Sequence, residues 1–195
     1  MVFNSRDDLP AFLNEEGLVG YGAEVGVFRG EFSEQFLKNW NGKKLYLIDA
    51  WRHFEDVVDI SNHHQSGQEL NWSSTLKTVY PYGDKACIIR ELSVEAARIF
   101  PDGYFDFVYF DAGHTYNGVI ADLTAWYPKI KINGYLIGHD YINGTYIEDR
   151  LRPTVFEVKS AVNAFALLNS LTISIIPDNN HLLGYPSWYT KKEAQ

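Results

Sequence analysis

The segment Ala23-Glu24-Val25-Gly26-Val27-Phe28-Arg29-Gly30 decides the fold. Small and apolar residues over 19–27 are typical of a buried strand, and an amphipathic helix is predicted over Ser33–Trp40. The glycines between them let the backbone approach a ligand closely, and the helix N-terminus offers free N–H groups. The segment therefore predicts a ligand-binding strand–loop–helix unit, with an ordinary tight turn as the alternative.

Strands and helices alternate along the rest of the chain. Apolar runs bounded by turn residues predict strands over Lys44–Asp49, Ala86–Arg90, Phe105–Asp111 and Tyr135–Gly138. Two final strands, Leu171–Ile176 and His181–Tyr189, lie close enough to pair as a hairpin. Because such alternation is typical of a parallel sheet with helices on both faces, we predict one α/β domain over residues 1–195. Its sheet is expected to be Rossmann-like, doubly wound, mostly parallel and seven-stranded, with a C-terminal β-hairpin.

The composition argues against nucleic acid or a membrane as the partner. The 195 residues carry a net charge of −8, so the chain lacks the basic character that attracts nucleic acid or anionic lipid. No apolar run approaches the ~20 residues of a membrane span, and the acidic N-terminus does not resemble a signal peptide. The single cysteine, Cys87, excludes an intrachain disulfide. We expect a cytoplasmic protein that acts on a small molecule, and a homo-oligomer stays open.

Carboxylates occupy the first loop and three strand ends. Glu24 stands where a dinucleotide-binding loop has its first glycine, and a carboxylate there suits a cationic ligand group better than a pyrophosphate. Asp49 ends the second strand, where a carboxylate accepts hydrogen bonds from the ribose of an adenosine. Asp111 and Asp140 follow two later strands. Because ligands of open α/β sheets bind outside these strand ends, the pattern predicts a ligand site there, although each residue alone is also typical of a turn or cap.

Several segments together resemble the class I S-adenosylmethionine-dependent methyltransferases. Within that class the chain is similar to the small-molecule O-methyltransferase group that includes the macrolide-sugar methyltransferases. Its domain resembles the family known as methyltransferase domain 24. The most specific match is the spacing Asp-x-x-His-x-Tyr from Asp111 to Tyr116, followed later by Gly138-His139-Asp140-Tyr141. The other matching segments are Glu24–Gly30, Leu45–Asp49 and Pro186–Tyr189.

The resemblance implies a binding site for S-adenosylmethionine. The first loop would hold the methionine part, Asp49 the ribose, and the residues after the third strand would flank the adenine. We also expect the aromatic ring of Trp51 to cover the cofactor, because Trp51 follows the ribose carboxylate closely. The predicted cofactor contacts are Glu24, Gly26, Gly30, Asp49, Trp51, Leu92, Ser93 and Asp111.

A divalent metal and a histidine base are the further expectations. The resemblance implies a Mg²⁺ ion at Asp111 and Asp140. His139 stands where metal-dependent relatives commonly carry another acid, and as a third ligand it would give a mixed oxygen and nitrogen set that also suits Mn²⁺. We predict that His114 removes a proton from the acceptor with an ordinary histidine pKa, and that Asp111 lies beside the methyl donor. A capping or supporting role is the alternative for His114.

The predicted activity is methyl transfer from S-adenosylmethionine to a hydroxyl of a small molecule such as a sugar. Two rivals stay open: a nicotinamide-dependent oxidoreductase on a similar sheet, and a non-catalytic module that binds the cofactor. The polar residues 53–70 contain His63 and His64 and are predicted to form a loop or a lid over the substrate. A solvated loop is the alternative for this segment.

Overall fold

The computed structural model describes residues 2–57, 59, 61–148, 152–180 and 184–194. The strands are β1 Tyr21–Val25, β2 Lys44–Asp49, β3 Ala86–Arg90, β4 Phe105–Phe110, β5 Ile130–Gly138, β6 Gly144–Glu148, β7 Arg152–Phe156, β8 Ser174–Ile176 and β9 Ser187–Lys191. The α-helices are α1 Leu9–Glu15, α2 Glu31–Asn39, α3 Gln65–Val79, α4 Ser93–Ala97, α5 Tyr116–Trp126 and α6 Val158–Leu168.

One seven-stranded sheet organises the chain, in the order β3-β2-β1-β4-β5-β9-β8. The first five of these strands are parallel, whereas β9 pairs antiparallel with both β5 and β8. The predicted α/β class, the mostly parallel seven-stranded sheet and the antiparallel C-terminal strand pair are confirmed. The start of the predicted last strand, residues 181–183, lies outside the described residues.

Both faces of the sheet are buried under helices. The central strand β4 is buried over all six residues, as expected for a parallel strand covered on both sides. Phe107 and Tyr109 pack into a cluster with α1, α2 and the end of α3, whereas Val108 and Phe110 pack into a cluster with α4, α5 and α6. Because β1, β2, β4 and β5 run parallel, their carboxyl ends lie at one edge of the sheet.

A separate hairpin of β6 and β7 was not predicted. These strands pair antiparallel with each other, and β6 begins four residues after Asp140. The hairpin ends at Phe156, and the centroid of the Phe156 ring lies 4.3 Å from that of the His114 ring. This hairpin was not expected because its two short strands join no larger sheet. Its position makes it a wall beside the carboxyl ends of β4 and β5.

The N-terminal segment also folds toward this edge of the sheet. Ser5 is fully buried and caps a short 3-10 helix over Arg6–Asp8. The side-chain amide of Asn180 donates to the Ser5 hydroxyl at 2.8 Å, which ties the segment to the chain before β9. In the described part of the chain, no helix is long and apolar enough to cross a membrane.

Candidate functional site

Asp49 holds the loop after β1 in place. One of its carboxylate oxygens accepts the backbone N–H groups of Val27 at 2.9 Å and Phe28 at 3.0 Å, and the other accepts that of Trp51 at 2.8 Å. Phe28 and Trp51 both have positive φ, 57° and 41°, which is costly for bulky residues. Asp49 therefore stabilises a strained loop and still presents its carboxylate at the strand end.

Gly26 allows the loops after β1 and β4 to meet. Its φ is 91°, and a Cβ atom there would lie 2.0 Å from the carbonyl oxygen of Asp111. The N–H of Asp111 in turn donates to the carbonyl of Val25 at 2.9 Å. The glycine at this position is thus required by the backbone of Asp111, which is brought directly beside the first loop.

A cavity of about 270 Å³ opens beside Asp49, and we call it the Asp49 cavity. Gly26, Asp49 and Asp111 line it, and so do Leu92 and Ser93 at the start of α4. Five predicted cofactor residues are therefore together. The remaining lining residues include Phe28, Ile48, Asp59, Glu91, Ala112, Gly113 and Asp122.

Two predicted cofactor residues have other positions. Trp51 is 1% exposed, its ring packs in the core with α2, and its indole N–H donates to the carbonyl of Phe28 at 2.8 Å. This corrects the expectation that the ring covers the cofactor, because its positive φ turns the side chain inward. Gly30 lines neither this cavity nor the larger one described next; it begins α2 in a left-handed conformation, with φ 87°.

A second cavity, of about 600 Å³, adjoins the first, and we call it the His114 cavity. Gly26, Phe28, Asp59, Ser61, Asp111 and Ala112 line both cavities. The larger one is bordered by carboxylates, histidines, arginines and aromatic rings from separate parts of the chain. Its further lining residues include Arg6, Glu24, Glu31, Phe32, His63, His114, His139, Asp140, Phe156 and Tyr185.

Glu24 is a buried carboxyl group on the wall of the His114 cavity. It is 3% exposed, and burial raises its pKa to about 8. Its Oε2 atom finds no hydrogen-bond partner among the residues that the structure describes. Since a buried carboxylate without a partner is costly, this atom is suited to accept a hydrogen bond from a cationic ligand group.

Arg6 is a site residue that the sequence did not indicate. Its Nη1 atom donates to Asp111 Oδ2 at 2.7 Å and to the hydroxyl oxygen of Tyr109 at 3.0 Å. Its guanidinium also lies 4.7 Å from the centroid of the Phe32 ring. A lone arginine in an N-terminal segment has no motif, so only the folding of that segment onto β4 could identify it.

His114 lies between two carboxylates. Its Nδ1 is 2.7 Å from Asp59 Oδ2, and its Nε2 is 3.0 Å from Asp140 Oδ2. Burial alone would lower the pKa of His114, but the hydrogen bonds to Asp140 and Asp59 outweigh burial and raise the pKa to about 10. The sequence led us to expect an ordinary histidine pKa unless the surroundings shift it, and the two carboxylates do shift it upward. At neutral pH both ring nitrogens donate, so neither accepts a proton.

Asp111, His139 and Asp140 form a cluster whose ligand atoms lie within 4.8 Å of one another. His139 Nδ1 is 2.9 Å from Asp140 Oδ1 and 3.8 Å from Asp111 Oδ1. The other carboxylate oxygens are held by Arg6 and His114. Burial raises the pKa of Asp140, but its hydrogen bonds to the two histidines hold that pKa well below the usual range. The three predicted metal residues are thus close together, and they offer two carboxylate oxygens and one imidazole nitrogen as ligands.

The segment before α3 contributes to the site through a few side chains. Asp59 reaches His114, and His63 lines the His114 cavity, whereas the exposed His64 precedes the first turn of α3. The helix itself begins at Gln65, earlier than the sequence predicted, so only the first part of the polar segment is irregular. Of the two histidines, His63 is thus positioned to meet a ligand.

Comparison with known families agrees with this geometry. The sequence profile of the methyltransferase domain family matches residues 23–141, which run from the first loop to the end of the His139–Asp140 motif. No curated protein sequence matches the chain significantly.

Known structures share the fold at low sequence identity. A provisionally assigned caffeoyl-CoA O-methyltransferase from Staphylococcus aureus has a TM-score of 0.66 and 14% identity, over 95% of this chain and 81% of that one. The 1,6-didemethyltoxoflavin-N1-methyltransferase of Burkholderia thailandensis, solved with S-adenosylhomocysteine, has a TM-score of 0.63 and 13% identity, over 97% of this chain and 78% of that one. An rRNA methylase from Streptococcus thermophilus has a TM-score of 0.61 and 12% identity, over 95% of this chain and 97% of that one. Since these proteins are named as an O-methyltransferase, an N-methyltransferase and an RNA enzyme, the fold alone does not select the acceptor.

Proposed function

The chain belongs to the methyltransferase domain family of S-adenosylmethionine-dependent enzymes, and we propose that it methylates a hydroxyl of a small hydrophilic acceptor such as a sugar. The observation that carries this proposal is the junction of two cavities at Gly26 and Asp111. A donor in the Asp49 cavity and an acceptor in the His114 cavity would meet beside the Asp111 carboxylate.

The residues of the Asp49 cavity fit the donor. Asp49 would accept the ribose hydroxyls, because its Oδ1 atom takes only one backbone hydrogen bond and keeps a free lone pair. Glu24 lies in the adjoining cavity with one oxygen unpaired, and there it would meet the ammonium of the methionine part. A donor that spans both cavities satisfies both carboxylates.

The His114 cavity suits an uncharged, polyhydroxylated acceptor. The carboxylates on its wall accept hydrogen bonds from hydroxyl groups. The rings of Phe28, Phe32 and Phe156 provide apolar surface for the carbon face of a sugar ring. The net charge of −8 disfavours RNA as the acceptor, although one structural relative is named an rRNA methylase.

In the proposed reaction the acceptor oxygen attacks the methyl carbon of the sulfonium. The new C–O bond forms as the C–S bond breaks, its electron pair passes to sulfur, and neutral S-adenosylhomocysteine is released. The acceptor proton passes to Asp111 Oδ1, since Arg6 already holds Oδ2. His114 is then a positioning residue, because it fixes Asp140 and Asp59 and has no free nitrogen for the proton. Alignment and proton removal are the main tasks left to the protein.

A divalent ion fits the same site. Asp111, His139 and Asp140 would hold it with the atoms that face one another, and hydrogen bonds from Arg6 and His114 orient the two carboxylates. Because one ligand is an imidazole, Mn²⁺ suits the set better than Mg²⁺. The ion, when bound, would take Asp111 Oδ1 as a ligand, and it would lower the pKa of the acceptor hydroxyl so that the proton can leave to solvent instead.

The test is transfer of a labelled methyl group to a panel of sugars, phenols, amines and ribosomal RNA, with metal-free protein and with added Mg²⁺ or Mn²⁺. We expect label on a sugar hydroxyl, a loss of about tenfold or more in chelator, and recovery with Mn²⁺. Label on an amine or RNA alone would overturn the acceptor class, and full activity in chelator would remove the metal. Tight binding of NADH instead of S-adenosylhomocysteine would favour the oxidoreductase rival.

A further inference from the structure

One carboxyl group on the wall of the Asp49 cavity has no role in the mechanism above. Asp122 lies in the second turn of α5 and lines this cavity together with Leu92, Ser93, Ala112 and Gly113. It also lines a small void of about 20 Å³, which Val158 and Trp188 border together with the ionisable residues Asp111, His114, His139 and Asp140. Partial burial of such an acid is costly unless a partner compensates its charge.

The neighbouring Ser93 accepts the indole N–H of Trp126 at 3.0 Å and lines the same cavity. Burial raises the pKa of Asp122 to about 6, against the lowering effect of Ser93. At neutral pH Asp122 is an ionised acceptor.

We infer that Asp122 is the residue that recognises the adenine amino group of the cofactor. Leu92 and the Ala112–Gly113 backbone supply the apolar surfaces for a flat ring, and Asp122 stands on the same cavity wall with acceptor capacity. An exocyclic amino group offers two N–H donors, and a carboxylate accepts but does not donate. The same carboxylate repels a ring that carries a carbonyl oxygen in place of the amino group.

This inference rests on the proposed function, so its test separates the two. The probes are S-adenosylhomocysteine and S-inosylhomocysteine, which differ by an amino group against a carbonyl oxygen at the same ring position. Calorimetry gives both dissociation constants for the unmodified protein and for two variants. We expect the unmodified protein to prefer the adenine compound by about 10- to 100-fold, the effect of one hydrogen bond to a charged group.

Asp122→Asn is expected to bring the two affinities within about threefold, because a carboxamide donates to the carbonyl oxygen as readily as it accepts from the amino group. Asp122→Ala should weaken the adenine compound by about tenfold and bind the inosine compound more tightly, because the repulsion of its carbonyl oxygen is removed. Glu95→Gln is the matched control, since it removes an exposed carboxylate of α4 that pairs with Arg98. Its preference should equal that of the unmodified protein.

Equal affinities in the unmodified protein, or an unchanged preference in both Asp122 variants, would overturn the inference and leave the proposed function intact. If Glu91→Gln loses the preference for the adenine compound and Asp122→Asn keeps it, Glu91 recognises the amino group instead of Asp122. If neither compound binds the unmodified protein, the proposed function itself fails, and the inference fails with it. The two dissociation constants of the unmodified protein test the predicted preference for adenine even if a variant does not fold.

Discussion

The Asp49 cavity and the His114 cavity share six lining residues but are built in different ways. Around Asp49 the decisive contacts are between one carboxylate and backbone N–H groups of the adjacent loop. Around His114 they are between charged side chains from the N-terminus, the segment before α3, and the ends of β4 and β5. One half of the site is thus fixed by local backbone geometry, and the other by long-range charge pairing.

This difference predicts which half tolerates change. Backbone contacts survive most side-chain replacements, and their geometry depends little on pH. A network of buried ion pairs fails when one member is lost, because the remaining charge is left uncompensated. Changes in the His114 cavity should therefore affect turnover and stability, whereas changes in the Asp49 cavity should affect cofactor affinity.

Replacement of Asp111 by Asn should have the largest effect. The variant keeps an acceptor for Arg6 but loses the proposed site for the acceptor proton, so kcat should fall about 10²- to 10⁴-fold. The dissociation constant of S-adenosylhomocysteine should change by less than about tenfold. Steady-state kinetics and calorimetry measure the two separately, and a variant that keeps half of the kcat would exclude Asp111 from proton transfer.

His114→Ala should cause the largest loss of stability. It leaves Asp59 and Asp140 as largely buried carboxylates without their shared cation, and removal of one partner of such a set costs about 3–5 kcal/mol. In a chain of this size each kcal/mol lowers the Tm by about 2–4 °C, so a fall of roughly 10 °C is expected in a thermal melt. His64→Ala, an exposed histidine nearby, is the control and should leave the Tm unchanged. An unchanged Tm in His114→Ala would show that the pairing contributes nothing.

Asp49→Ala tests the backbone-held half. It removes three hydrogen bonds to the first loop and the proposed contact with the ribose, so the dissociation constant of S-adenosylhomocysteine should rise about 10- to 100-fold. Asp49→Asn keeps a carbonyl acceptor for the loop, so its dissociation constant should rise less than that of Asp49→Ala. Asp56→Ala changes an exposed acid of the following segment and should bind normally. Equal affinity in Asp49→Ala and the unmodified protein would remove the ribose assignment.

Glu24→Gln should have an effect that depends on pH. Burial raises the pKa of Glu24 from 4.5 to about 8, so the folded state favours the protonated form. That contribution to stability is complete below pH 4.5 and is lost as the pH rises through 8. Glutamine stays neutral, so the Tm of the variant should be closest to that of the unmodified protein near pH 4.5 and should exceed it by a margin that grows as the pH rises to 8. Parallel Tm curves over this range would contradict the raised pKa.

The cofactor half of the site was largely predictable. Asp49 ends β2 and Asp111 directly follows β4, and the carboxyl ends of parallel strands meet at one edge of the sheet whatever the loops do. The charged partners of these residues were not predictable. Arg6 lies 105 residues from Asp111 along the chain, and Asp59 lies 55 residues from His114, with no periodicity or motif to connect them.

The sequence by itself determined the α/β class, the strand ends and the family, because these follow from local periodicity and from motifs of adjacent residues. The tertiary structure decided the inward turn of Trp51, the contact between Gly26 and Asp111, and the charge state of His114. Each of these depends on which distant groups share a buried volume. A side chain's pKa and hydrogen-bond capacity are set by those neighbours, and chain spacing does not encode them.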